Sequence, residues 1–259
     1  MTAMIFQVGD LVTRIKYNHD VVFKILSIKN ETAYLKGVHV RLYADAPLED
    51  LQLYKNDERN LEDDDIELFL GNRGDYFYLP GKVLHIDADK EYLDRCLKFY
   101  KRNKVMAVGK QINEKDIYKE IRSLLMEYQP DIVIITGHDA YYQKKGSKND
   151  IKNYKNTENF VKAVREARKY EKSHEKLVII AGACQSDYEE LIRAGANFAS
   201  SPKRVNIHAL DPAIIATVLA MSERNKEIDL VGLLAKTKYG ADGMGGIISN
   251  GMMYVGFPR

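Results

Sequence analysis

The chain predicts an α/β protein, a doubly wound and mostly parallel sheet preceded by a small SH3-like β-barrel. Three observations carry that prediction. Two apolar runs, Ile132-Val133-Ile134-Ile135-Thr136 and Leu177-Val178-Ile179-Ile180-Ala181, each end at a glycine, Gly137 and Gly182. Consecutive aliphatic residues of this kind form strands buried on both faces of a parallel sheet. After Pro80, strand-like and helix-like segments alternate at the spacing of βαβ units. Residues 1–55 differ, with short strand-like runs set between turn-like triplets.

In residues 1–55 the expected strands are Val8–Val12, Val21–Ile25, Thr32–Gly37 and Val38–Leu42, with turns at Asn18-His19-Asp20 and Lys29-Asn30-Glu31. Such barrels often bind partners, and a plain structural appendage is an equal reading. His19 and His39 read as surface or strand residues. Residues 56–79 are acidic and poorly patterned, which suits a linker. The third unit, residues 80–259, opens with a strand at Lys82–Ile86, a helix over 90–103 and a strand at Val105–Val108. Helical spacing then covers 113–128 (Ile117, Ile121, Leu124, Leu125) and 157–171 (Phe160, Val161, Val164, Ala167). Residues 187–194 form a short helix stopped by Gly195. Strands follow at Asn197–Ser200 and Val205–His208, and a last helix starts near Asp211. The glycine-rich tail reads as loops near the rim of a site. Gly243-Met244-Gly245-Gly246 lacks the strand, the helix and the Lys-Ser/Thr of a phosphate loop.

Composition narrows the function. A formal net charge of +2 with 29% charged residues points to no nucleic-acid or membrane partner. There is no run of 18 apolar residues and no signal-peptide pattern at the amino terminus. The two cysteines, Cys96 and Cys184, have no framework spacing and suit a reducing compartment. Cys96 lies in a helical pattern with Tyr92, Leu93 and Tyr100, where a thiol acts as a small buried hydrophobe. No zinc-ligand spacing exists, so neither metal nor cofactor is expected.

The first apolar strand runs into His138-Asp139 and the second into Ala183-Cys184-Gln185-Ser186. Residues that follow such strands emerge at the carboxyl edge of the sheet, where open α/β proteins place their ligands. A thiol and an imidazole on neighbouring strand ends are what thiol catalysis requires: one supplies the nucleophile, the other moves protons. Gly137 and Gly182-Ala183 remove bulk where a peptide would approach. A helix beginning near Ser186 would favour the thiolate through its dipole and could hold an oxyanion on its amides.

Four apolar residues before a His, then four before Ala-Cys, resemble the signature of caspase-hemoglobinase-fold peptidases. More broadly, the chain is similar to the YabG family of sporulation-specific proteases. The matching segments are Phe6–Asp10, Pro80–Asp87, Ile135–Tyr141, Ala181–Ser186, Leu191–Pro202 and Arg204–Pro212. The acidic region before Pro80 is shorter than in that family. The resemblance implies a cysteine endopeptidase that trims spore coat and cortex-associated proteins after Arg, in the cytoplasm of the mother cell and at the spore coat. It implies Cys184 as nucleophile and His138 as acid–base. Most of these peptidases have Gly directly after the His, whereas here Asp139 follows and Gly137 precedes. The amides of Gly137 and Asp139 are therefore both candidates to join that of Cys184 in an oxyanion hole. In the related folds, the pocket for Arg is built from the end of the first strand and from the strand after the Cys. Those places hold Asp87 and Asp89 on one side, and Ser200, Ser201 and Asp211 on the other. A guanidinium needs such a carboxylate. Each candidate also has a plain alternative: Asp87, Asp89 and Asp211 as helix caps, Ser200 and Ser201 as turn residues before Pro202. His85 and His208 read as structural.

Two rival readings remain at this stage. Ile86-Asp87-Ala88-Asp89 after the first strand resembles a response-regulator receiver, a binding switch without catalysis. No strand end, however, offers its phosphoacceptor Asp together with a later Lys. Alternatively, the barrel is the working part and the sheet its scaffold.

Overall fold

The computed structural model describes residues 6–54, 75–142 and 146–258. Most of the expected acidic linker lies outside them. The chain divides into two compact units, Met1–Ile66 and Glu67–Arg259.

The first unit is a five-stranded antiparallel sheet. Its strands are β1 (Leu11–Arg14), β2 (Phe23–Lys29), β3 (Thr32–Gly37), β4 (Tyr43–Pro47) and β5 (Leu51–Leu53), in the order β4-β3-β2-β1-β5. Alternation along β2 and β3 turns Phe23, Ile25, Ala33 and Leu35 inward. The β2–β3 hairpin closes on Asn30 and Glu31, both at positive φ, as a tight two-residue turn requires. The expected strand Val38–Leu42 is not formed. The amide of Leu42 donates to Val40 O at 2.8 Å and that of Gly37 to Leu42 O at 2.7 Å, so this apolar stretch folds on itself and pairing resumes at Tyr43. Val40 and Leu42 are buried as core residues of that turn, which is why they read as strand.

The second unit is built on a six-stranded sheet: β7 (Val83–Asp87), β8 (Ala107–Gln111), β9 (Ile132–Thr136), β10 (Val178–Ala181), β11 (Phe198–Ser200) and β12 (Met244–Gly246). The order is β12-β11-β10-β9-β7-β8, parallel throughout except for the antiparallel edge strand β12. Every residue of β7, β9 and β10 is buried; the aliphatic runs of β9 and β10 require it, and β7 buries His85 and Asp87 beside Val83, Leu84 and Ile86. Part of the glycine-rich tail is thus strand rather than loop; at three residues, two of them glycine, β12 carries no readable alternation. A further pair, β6 (Phe77–Leu79) with β13 (Tyr254–Gly256), begins inside the stretch read as linker.

Helices cover both faces. On one lie α2 (Glu114–Tyr128), α3 (Thr157–Tyr170) and α4 (Tyr188–Ala194), whose apolar stripes join Leu84, Ile86, Val133, Ile135 and Ile179 in one core. On the other, α1 (Lys90–Arg102) packs with α5 (Asp211–Met221). Helix α5 is apolar nearly all round and correspondingly buried. Two short helices follow, α6 (Leu230–Leu234) and α7 (Gly240–Gly243). Cys96 is fully buried on α1 and donates its thiol to Ala209 O. Val205–His208, expected as a strand, pairs with no named strand among the described residues. It crosses the end of β10, and its backbone groups bind the Cys184 turn.

Candidate active site

From β7 the chain passes to β8 on one side and then crosses to β9 on the other, so strand order reverses between β7 and β9. Ligands of open α/β sheets bind outside the carboxyl ends of the strands at such a point. Asp87 ends β7 and Asp89 caps α1. Gly137-His138-Asp139 follows β9, and Gly182-Ala183-Cys184 follows β10. Strands β9 and β10 pair in register up to Ile135 and Ala181, and Thr136 Oγ1 donates to Gly182 O at 2.9 Å. His138 and Cys184 therefore each stand three residues beyond the last paired positions of neighbouring strands.

His138 is 7% exposed and is held at its amide, its carbonyl and Nε2. Its amide donates to Glu114 Oε1 at 2.9 Å and its carbonyl accepts from Asn156 Nδ2 at 2.8 Å. Ring nitrogen Nε2 lies 3.0 Å from Asp89 Oδ2, and the ring packs 5.7 Å from that of Tyr92. A carboxylate only accepts, so Nε2 carries the hydrogen and Nδ1 is the nitrogen with which the ring can exchange protons. Gly137 owes its identity to this packing: a Cβ there would stand 2.7 Å from Glu114 Oε1 and 3.0 Å from Ala88 Cβ.

Cys184 sits in a tight turn opened by Gly182 at φ +103, where a side chain would also meet Leu191. Ser186 Oγ closes the turn by accepting from Ala183 N at 3.0 Å. The thiol is fully enclosed. Sγ accepts from Ile207 N at 3.3 Å and faces Ile207 O at 3.7 Å. The amide of Gln185 is shared by Ser201 Oγ and Val205 O. The expected helix start at Ser186 is corrected: α4 begins at Tyr188, and its cap, Asp187, takes the Glu190 amide. The helix N-terminus is thus capped by its own carboxylate.

Asp139 ties the two turns together. It is 3% exposed and accepts from the amides of Ala140 (2.9 Å) and Asn156 (2.7 Å) and from Ser186 Oγ (2.8 Å) and Thr157 Oγ1. Burial pushes its carboxyl above the ordinary range despite those bonds.

The five residues proposed to select Arg are all buried, and each has internal partners. Asp87 Oδ1 accepts from Asp89 N at 2.9 Å, and its Oδ2 lies 3.7 Å from His85 Nε2. Asp89 Oδ1 accepts from Glu91 N and Tyr92 N as a helix cap, while Oδ2 meets His138. Asp211 accepts from His208 N and Lys238 N, both at 2.9 Å. Ser200 Oγ contacts Met244 Sδ, and Ser201 Oγ donates to Val205 O. His85 bonds Tyr100 in the core, and His208 accepts from Leu210 N.

The sequence did not single out Glu114, Asn156, Thr157 or Arg204. Arg204, on the segment over Cys184, pairs with Asp187 (3.0 Å) and Glu189 and donates to Tyr154 OH. Burial raises Asp187. At Glu189 burial also pulls upward, but the Arg204 hydrogen bond and charge outweigh it and leave this carboxyl lowered. Only the acidic character of 187–190 hinted at such a partner.

An α/β sheet with a thiol and an imidazole on adjacent strand ends is a framework for hydrolytic enzymes. The family model for YabG peptidase U57 matches residues 7–68 and 63–258. The sporulation-specific protease YabG of Bacillus subtilis (strain 168) is 40% identical over 286 aligned positions, covering 98% of this chain and 99% of that protein. The chain belongs to the YabG peptidase U57 family, a family of sporulation-specific proteases, and its substrates are proteins. Among the described residues, no helix is long and apolar enough to cross a membrane.

Proposed function

We propose that this protease is a cysteine endopeptidase that cuts spore coat and cortex-associated proteins after Arg, with Cys184 as nucleophile and His138 as acid–base. The observation that carries the reading is the equal offset of the two residues beyond the paired ends of β9 and β10. His138 Nδ1 takes the thiol proton as Sγ attacks the scissile carbonyl, then delivers it to the leaving amine; water releases the acyl group from the thioester. The oxyanion rests on the Cys184 amide with that of Gly137 or Asp139. Because the thiol is enclosed, attack needs Val205–Ile207 to swing off Cys184 first, so the described conformation is a closed one. Asp87 is the first choice for selecting Arg, because it ends β7 at the same edge of the sheet as His138 and Cys184.

The strand order β8-β7-β9-β10-β11, with helices on both faces, supports a caspase-hemoglobinase-like arrangement. The order β4-β3-β2-β1-β5, with a short 3-10 turn at Leu48–Asp50 before β5, supports an SH3-like barrel. We keep the division into barrel (1–55), acidic linker (56–79) and peptidase domain (80–259), and place the enzyme in the mother-cell cytoplasm and at the spore coat. The test compares cleavage of Arg-, Lys- and neutral reporter peptides by the wild type and Cys184→Ala. Activity confined to the wild type and to Arg peptides is expected. Substantial cleavage by Cys184→Ala overturns the mechanism.

A further inference from the structure

We infer that Asp89 is the positioning residue of this site: through Oδ2 it holds His138 in the tautomer and orientation that leave Nδ1 toward the chemistry. The inference rests on the Cys184–His138 reading above and adds a third member to it. Asp89 stands on rigid ground. Its amide donates to Asp87 Oδ1 at 2.9 Å, and its Oδ1 caps the 13-residue helix α1 through Glu91 N (3.0 Å) and Tyr92 N (3.3 Å). The remaining oxygen, Oδ2, reaches His138 Nε2 at 3.0 Å across 49 residues of sequence, with Asp89 8% and His138 7% exposed. A carboxylate at a helix N-terminus is favoured in its ionised form by the dipole and the open amides there. Tyr92, one turn into the same helix, packs against the imidazole and limits its rotation.

When Nδ1 accepts the thiol proton, the ring becomes cationic, and the neighbouring carboxylate stabilises that charge without taking the proton itself. This is the division of labour in Ser-His-Asp enzymes, where exchanging the carboxylate for an amide leaves geometry intact but selects the wrong tautomer. Asp89 touches neither thiol nor substrate in this scheme. Its contribution therefore belongs to turnover, and it is independent of which side chain precedes the cut.

The test uses the full chain carrying Asp89→Asn and Asp89→Ser. Asparagine and serine both serve as N-caps, so α1 and the melting temperature should survive in each. Expected is a fall in kcat of about a hundred-fold or more with KM within about three-fold of wild type, equal for Arg and Lys peptides. Mass-resolved alkylation of Cys184 by iodoacetamide should shift its pH profile toward that of an ordinary thiol, about pH 8.5. An Asn variant that keeps kcat within about three-fold overturns the inference, as does one whose loss is confined to Arg peptides, which marks a pocket residue. Loss that tracks a lower melting temperature in both variants marks a purely structural cap and also overturns it. Independently of folding in either variant, nitrogen NMR of His138 in the wild type should show the Nε2–H tautomer, and an Nδ1–H tautomer contradicts the assignment. Failure of the underlying reading looks different, because there Cys184→Ala stays active.

Discussion

The turns carrying His138 and Cys184 occupy equivalent places at the ends of β9 and β10, yet they are held in opposite ways. His138 has its amide, its carbonyl and ring nitrogen Nε2 hydrogen-bonded to Glu114, Asn156 and Asp89. Cys184 is fixed by a segment from elsewhere in the chain, whose Ile207 amide and carbonyl bracket Sγ and leave it with no exposed surface. In the proposed mechanism the imidazole is held ready before substrate arrives, whereas the thiol has to be uncovered by movement of Val205–Ile207. That mechanism puts preorganisation at one strand end and gating at the other.

The most drastic way to break this pairing is to remove either side chain. Cys184→Ala and His138→Ala should each lower kcat for peptide cleavage by about a thousand-fold or more, and the double variant should be scarcely worse, because the two act as a unit. Clearly additive losses in steady-state kinetics would separate them.

Asp87→Ala should reduce kcat/KM for Arg peptides by about two orders of magnitude while a small thiol probe still labels Cys184 at its usual rate. An undiminished Arg preference would move the pocket elsewhere.

Removing Asp139 tests the tie between the turns. Asp139→Ala leaves the Asn156 and Ala140 amides and two hydroxyls without their acceptor and should cost about 2–4 kcal/mol in urea unfolding. Asp139→Asn can keep most of those bonds and should cost far less. The sign of its pH dependence follows from burial. A carboxyl raised in the folded state contributes stability fully below the unfolded value, about 3.9, and loses it as pH rises through the folded value. Asp139→Asn cannot ionise, so its stability relative to wild type should improve as pH rises from about 4; a constant difference would show that Asp139 is not raised.

The gate admits a milder test. Arg204 anchors the covering segment to Asp187, Glu189 and Tyr154, with its side chain 13% exposed. Arg204→Ala should increase iodoacetamide labelling of Cys184 by about ten-fold, the change in open population that about 1.4 kcal/mol produces. Labelling of Cys96, buried on α1, should not respond, and equal increases at both cysteines would indicate general loosening instead.

What was legible in the sequence follows from how local each signal is. Strands β9 and β10 stood out because burial on both faces demands an unbroken aliphatic run, and α1, α2 and α3 matched their apolar spacing to within a residue at each end. Their ends placed His138 and Cys184 at one edge of the sheet. Val38–Leu42 and Val205–His208 misled for one reason: β-branched residues buried in an irregular segment have the same composition as a strand, and only long-range pairing tells them apart. Helix α4 starts at Tyr188, one residue inside the expected span 187–194, with Asp187 as its cap. The His138 supports were illegible because Asp89 and Glu114 reach it across 49 and 24 residues. Asp89 was singled out for its charge and its place at a strand end, and the partner it meets there is an imidazole.

The central claim, that Cys184 is the nucleophile served by His138, is met most directly by covalent trapping with a peptidyl chloromethyl ketone ending in Arg, read by peptide mass mapping alongside residual activity. The label should fall on Cys184 alone, in step with loss of cleavage, and its rate should drop by about a hundred-fold or more in His138→Ala. Inactivation with the label on another residue, or full activity after Cys184 is labelled, would contradict it.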